Sequence, residues 1–326
     1  MSYSARRSYI AVLVFGLALL LSLFLPGCSE RGKLDVKREE AKPNKPSQPN
    51  QEPPKKNPSD PRPPQKKPLP SNHIFATGVT LEDGWYDVDK LKRPEDIMAC
   101  WLISASNMLQ WWQDLYLEQG NTLPQGTPHG RGTGLYKSAI FDDAISKFRE
   151  LTRGGNISSG LLWYIEGKHV KISNHSYPLP NTGGYLRDKV VDYSQSAFAS
   201  YDDWSSAKSP KEAQKIFSEY LLERLRVGSS IGLEIKTHVG LGGSLHAITL
   251  WGAEVNDQGI VVAIYITDSD DYEQKLVRCP VWIYVDKQFN SREVAMDIPV
   301  SEAYSEGGSW AILRLFYLAP PKLSKP

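Results

Sequence analysis

The chain has 326 residues with a net charge of +1, 23% charged and 40% hydrophobic residues, an ordinary balance for a soluble globular protein. So even a charge offers no broad field for nucleic acid or an anionic surface, and three cysteines are too few for a disulfide framework. Nine tryptophans suit a well-filled core or a cleft that holds polypeptide, without choosing between them.

The N-terminus reads as targeting rather than fold. Arg6 and Arg7 precede an almost unbroken apolar run over residues 10–25, and Leu25-Pro26-Gly27-Cys28 resembles a bacterial lipobox. Residues 1–27 are therefore expected to be a lipoprotein signal peptide and Cys28 the site of lipid attachment; an uncleaved signal anchor is the competing assignment. Acyl chains on Cys28 anchor stably, since each buried CH₂ adds ~0.8 kcal/mol. The expected location is the bacterial cell envelope, facing the periplasm or the exterior. Residues 28–73 are rich in Lys, Glu, Asn, Gln and Pro, with prolines recurring from Pro43 to Pro70. Such a stretch is extended and partly polyproline II, and about 30 residues at ~3.1 Å each reach ~90 Å. It is expected to be a disordered tether, with a Pro-rich protein-binding motif as the alternative.

A single globular domain is expected over residues 74–320, followed by a short tail, 321–326. Residues 101–120 read as a helix, because Leu102, Ala105, Leu109, Trp112 and Tyr116 fall on one face and Gly120-Asn121 supplies a stop. A second helix is expected near residues 139–151, followed by long loops. Residues 210–226 read as an amphipathic helix with Ile216, Tyr220 and Leu221 inward and Gly228 just past its end. The pattern then changes to short β-branched and aromatic runs at residues 230–236, 245–251, 260–267, 281–285 and 310–318. A helical half followed by a mostly antiparallel sheet makes the expected fold class α+β.

Cys100 stands at the start of the first helix, where the partial positive charge of the helix end favours thiolate over thiol. Only the thiolate attacks a carbonyl; the competing assignment is a buried structural cysteine. His246 and Asp268 lie on two strands joined by Asn256-Asp257-Gln258-Gly259, a hairpin turn signal. Pairing Val255 with Ile260 puts His246 opposite Ser269, and a one-residue bulge puts it opposite Asp268. Opposed residues are ~4.5–5.5 Å apart, close enough for a carboxylate to orient the imidazole and select its tautomer. The order Cys, His, Asp, with the Cys on a helix and the others on a sheet, is shared by papain-like and transglutaminase-like folds, and Cys100-Trp101 matches the Cys-Trp step of papain-type nucleophiles.

Longer motifs are more specific. Gly84-Trp85-Tyr86-Asp87, Lys90, Cys100, Asn107-Met108-Leu109, Trp111-Trp112, His246 with Leu250-Trp251-Gly252-Ala253, and Tyr265 with Thr267-Asp268-Ser269-Asp270 together closely resemble the IdeS/Mac family of IgG-cleaving cysteine endopeptidases. The resemblance has clear blocks at both ends of the domain and a weak middle. It implies a papain-like fold, an N-terminal helical part carrying the nucleophile Cys100, and a sheet carrying His246 and Asp268. It further implies that Lys90 helps form the oxyanion site, that Asp270 supports the histidine region, and that the substrate is an immunoglobulin G heavy chain cut near its hinge. The chain departs from the family at Trp101-Leu102-Ile103, where the family has Gly-Ala-Ala shaping the cleft floor, so the departure bears on the substrate pocket. Alternatives are a papain-like peptidase for another secreted or host protein, and a surface lipoprotein that binds immunoglobulin or a receptor with little proteolysis.

No cofactor or metal is expected, because neither HExxH nor paired CxxC occurs. Gly240-Leu241-Gly242-Gly243 lacks the Lys-Ser/Thr of a phosphate loop and reads as a loop beside His246, either a mobile cover or a plain turn. His238 is the rival histidine without an acid placed by register. Cys279 is expected as a buried thiol, and His129, His169 and His175 as exposed. The expected partners are a protein substrate and, through the lipid anchor, a membrane, with no nucleic acid.

Overall fold

The computed structural model describes residues 72–322 apart from 90–97, 131–137, 149–153, 169, 173–174, 178–180, 241–242, 272–273, 288–289 and 300–306. Cys28, the leader, the tether and Lys90 therefore lie outside the described residues. Among those described, no helix is long and apolar enough to cross a membrane.

Strand β1 (His73–Phe75) is followed by helices α1 (Cys100–Glu118), α2 (Ala139–Lys147) and α3 (Ile157–Glu166). A small hairpin, β2 (Val170–Ile172) with β3 (His175–Tyr177), leads to β4 (Ala199–Ser200), α4 (Tyr201–Ser205) and α5 (Pro210–Arg226). Six long strands complete the chain: β5 (Ser230–Lys236), β6 (Leu245–Val255), β7 (Val261–Thr267), β8 (Val277–Asp286), β9 (Ser291–Ile298) and β10 (Gly308–Leu318). They pair antiparallel in the order β6-β5-β10-β9-β8-β7, and β7 returns to β6, so the sheet closes into a barrel. Closure removes the exposed edges of a sheet. The α+β expectation holds.

The helices obey their local signals. Ser209 caps α5 by accepting from Glu212 N–H, with Pro210 at the first helical position and Arg224 and Arg226 in the last turn, where cations suit the helix dipole. The buried stripe of α5 runs Ala213, Phe217, Leu221, Leu225, with Leu222 beside it. The expected inward residues Ile216 and Tyr220 are only partly buried, because the i, i+4 row through Phe217 is the one that meets the barrel's inward chains Ile231, Leu233, Ile248 and Ile264.

Helix α3 sits where only loops were expected. Asn156 caps it by accepting from Ser159 N–H at 2.8 Å, and Gly167 ends it at φ 69°. Strands β1 and β9 were likewise not expected. α1 also differs from the single-face reading: all residues from Cys100 to Gln113 are buried. It packs between β5–β6 of the barrel and α2–α3.

The β6–β7 register corrects the sequence-based one. Val255 faces Val261 rather than Ile260, because the Asn256 carboxamide oxygen accepts from both Gln258 and Ile260 N–H and lengthens the turn by one residue. An irregularity leaving out Val262 and a second leaving out Trp251 offset each other. Toward the open end Leu250 faces Ile266 and Thr249 faces Thr267, displaced opposite to the anticipated bulge. β7 then ends at Thr267, and Asp268 meets His246 from the following turn, not from the ladder.

Candidate functional site

The imidazole Nε2 of His246 lies 2.7 Å from Asp268 Oδ1, with the two side chains 4% and 2% exposed. Asp268 is held in place by its own turn: Oδ1 also accepts from Asp270 N–H at 3.0 Å, and Asp271 N–H donates to the Asp268 carbonyl. Asp270 Oδ2 stands 3.9 Å from Nε2, placing a second negative charge behind the ring. The edge-on indole of Trp310 packs against His246, with ring centroids 5.9 Å apart. This neighbour from β10 restrains the ring. With Nε2 committed to the carboxylate, Nδ1 is the nitrogen left for proton exchange.

Cys100 is the first residue of α1, and no acidic residue occupies the first turn to neutralise the helix's positive end. The way α1 lies on β6 decides which ends of the two elements coincide. Asn107 Nδ2 donates to Thr249 Oγ1, and one turn later Trp111 Nε1 donates to the carbonyl of Thr77, next to Ala76, whose N–H bonds Trp251 O. Helix and strand thus run in the same sense. Seven helical residues back from Asn107, ~10 Å, lies Cys100; three strand residues back from Thr249, ~10 Å, lies His246. Both fall at the same end of the contact.

The thiol chemistry considered below is that of the reduced protein. Cys279 is a free, fully buried thiol on β8, and burial pushes its ionisation far above the usual thiol range. As expected, it is inert packing.

His246, Asp268 and Asp270 are the described residues grouped tightly enough to hold a cation, their ligand atoms lying within 4.8 Å of one another. The direct His246–Asp268 hydrogen bond leaves no room for an ion between those two atoms.

Sequence reasoning missed what braces the site. Thr267 Oγ1 donates to the carbonyl of Tyr86 and accepts from Trp251 Nε1, tying the end of β7 to the Gly84–Asp87 segment and to β6. The GWYD motif was the available signal. Tyr86 in turn donates to Asp114, which also meets Gln110 and His129. His129 is exposed as expected but is paired, not solitary. His238 is exposed on the β5–β6 turn. That turn is pinned rather than loose at its start: Glu293 of β9 accepts from Gly240 N–H at 2.7 Å and pairs with Lys236 at 2.8 Å.

The departure at Trp101-Leu102-Ile103 has a structural explanation. Trp101 is 1% exposed and packs edge-on against Phe148, and a Cβ on Gly155 would come within 2.7 Å of its ring. Gly160 meets Ala105 at the same distance. Leu102 and Ile103 are buried as well. The bulk at these positions fills the core between α1 and α3.

Fold and site together define a two-part protein in which a helical layer presents a cysteine and a closed antiparallel barrel presents a His–Asp pair. The Mac-1 family model ("Mac 1") matches residues 186–286, a stretch that includes His246, Asp268 and Asp270 but not Cys100. The chain is also similar to the IgM protease of Streptococcus suis (strain P1/7), at 29% identity over 218 residues, 59% of this chain. These matches bear out the IdeS/Mac resemblance. The chain spans 18% of that relative's length.

Proposed function

We propose that the protein is a cysteine endopeptidase that cleaves immunoglobulin heavy chain, with Cys100 as nucleophile, His246 as base and Asp268 as the group that orients it. The observation that carries this reading is the buried 2.7 Å His246–Asp268 bond. His246 Nδ1 takes the proton of the reduced Cys100 thiol, and the thiolate attacks the peptide carbonyl. The resulting imidazolium is stabilised by Asp268 and then protonates the leaving amine. Water, deprotonated by His246, releases the acyl group and restores the thiol. The Cys100 backbone N–H and Lys90 are assigned to the oxyanion, and Asp270 N–H keeps the Asp268 carboxylate aimed. The papain-like fold belongs to the same reading: a nucleophile helix packed on a barrel carrying the base.

The resemblance points to IgG and the similar protein from S. suis carries IgM in its name, so both are offered as substrates. The lipid anchor at Cys28 would hold the enzyme at the cell envelope within reach of soluble antibody. The test is to incubate the reduced full-length protein, and its Cys100→Ala variant, with purified IgG and IgM and resolve the heavy chains on reducing gels. Heavy-chain fragments that are blocked by iodoacetamide, insensitive to EDTA and absent with Cys100→Ala are expected. Full cleavage by Cys100→Ala, or loss of cleavage in EDTA alone, overturns the assignment.

A further inference from the structure

The GWYD segment forms a strap across the loop that carries the candidate catalytic acid. It grips that loop on both sides of Asp268: the Tyr86 carbonyl accepts from Thr267 Oγ1 at 2.8 Å, the Asp87 carbonyl accepts from Gln274 Nε2 at 2.7 Å, and Asp87 Oδ2 accepts from Lys275 N–H at 3.2 Å. The strap's own carboxyl is the unusual part. Asp87 is 6% exposed, and two further carboxyls in the same region, Asp268 and Asp271, are 2% and 3% exposed. Asp87 Oδ1 is buried with no hydrogen-bond partner among the described residues.

A buried carboxylate oxygen without a donor is costly, and like charges nearby add to the cost. The groups that face Asp87 are Asp89 on its own strap, and Asp268, Asp271 and Lys275 on the loop between β7 and β8; His246 stands behind Asp268. Burial is the largest influence on Asp87, the charges of Asp271, Asp89 and Asp268 act in the same direction, and only the Lys275 N–H opposes them. Together they hold its carboxyl well above the usual range. Asp268, by contrast, has the imidazole and the Asp270 N–H as donors.

We propose that Asp87 is a positioning residue for the His246–Asp268 pair and works as a neutral carboxylic acid, anchoring the catalytic-acid loop through Lys275 N–H without adding charge beside Asp268. Ionising Asp87 adds a negative charge to a region that already holds Asp271, Asp89 and Asp268, which strengthens the hold of His246 on its proton and drives strap and loop apart. This rests on the proteolytic reading above.

Asparagine mimics the neutral acid, and alanine does not. In the reduced full-length protein, the iodoacetamide alkylation rate of Cys100, followed by peptide mass mapping across pH, reads the Cys–His pair without a substrate; heavy-chain cleavage gives kcat and KM. Asp87→Asn is expected to keep both rates within about threefold near neutral pH and to lose one ionisation on the alkaline side of the ordinary carboxylate range. Asp87→Ala, which orphans the Lys275 N–H, is expected to lower kcat about tenfold or more with little change in KM. Asp271→Asn removes a neighbouring charge and should move the same ionisation to lower pH. The proposal is overturned if Asp87→Asn loses as much as Asp87→Ala, if its pH profile superimposes on that of the unaltered protein, or if Asp271→Asn leaves the profile in place. Cleavage by Cys100→Ala would sink the proteolytic reading separately, whatever the Asp87 variants do.

Discussion

Asp268→Asn is the substitution for which the structure gives the sharpest expectation. The replacement is nearly isosteric, so the turn over residues 268–271 keeps its shape, but the charge that faces Nε2 is gone. The bond lost is short, charge-assisted and almost fully enclosed, 2.7 Å between side chains 4% and 2% exposed. Hydrogen bonds to charged groups contribute about 1.5–3 kcal/mol, which corresponds to roughly a 10- to 150-fold fall in kcat/KM. Asp268→Ala also orphans the Asp270 N–H and should fall further, yet remain above His246→Ala, which removes the base itself. Heavy-chain cleavage under reducing conditions measures the series, with Cys100 alkylation as the substrate-free counterpart. If Asp268→Asn stays within about twofold of the unaltered protein, or Asp268→Ala falls below His246→Ala, the orienting role is wrong.

Three further outcomes follow from packing and charge. Trp101→Ala empties the space between α1, Phe148 and Gly155 and should cost about 3–5 kcal/mol in denaturant unfolding; a shift below 1 kcal/mol would return Trp101 to the cleft. Glu293→Gln removes the charge from the partly enclosed pair with Lys236 and should cost about 1–3 kcal/mol, while speeding hydrogen exchange at the Gly240 amide. Asp87 binds its proton more tightly folded than unfolded, so its contribution is complete below the unfolded value of about 3.9 and is lost as pH rises through the raised folded value. Asp87→Asn should therefore flatten that decline in stability at higher pH, measured by thermal unfolding across a pH series, and an unchanged slope would refute it.

What could be read from the residues was what local rules decide. Ser209-Pro210 and Glu212 announce α5, and the β-branched runs announce β5, β6, β7 and β10. Helix α3 was hidden by Ser158-Ser159-Gly160, poor helix formers. Gly160 is there because Ala105 of α1 leaves no space for a side chain, a tertiary reason invisible in the local pattern. β9 mixes charged and apolar residues without clear alternation and owes its strand to flanking β8 and β10. At the site, chain order and motif spacing pointed to Cys100, His246 and Asp268 while the assumed register was off by a residue. The pair forms because Asp268 lies in a turn beyond the ladder, and the strap that braces this turn comes from nearly 200 residues earlier in the chain.

The encasement of α1 has an evolutionary consequence. From Cys100 to Gln113 each position is core, so a change on the helix that presents the cysteine must be matched by the residues packed on it, as Trp101 is by Phe148 and Gly155. Divergence on this helix is then coupled change, in which helix and packing partner alter together.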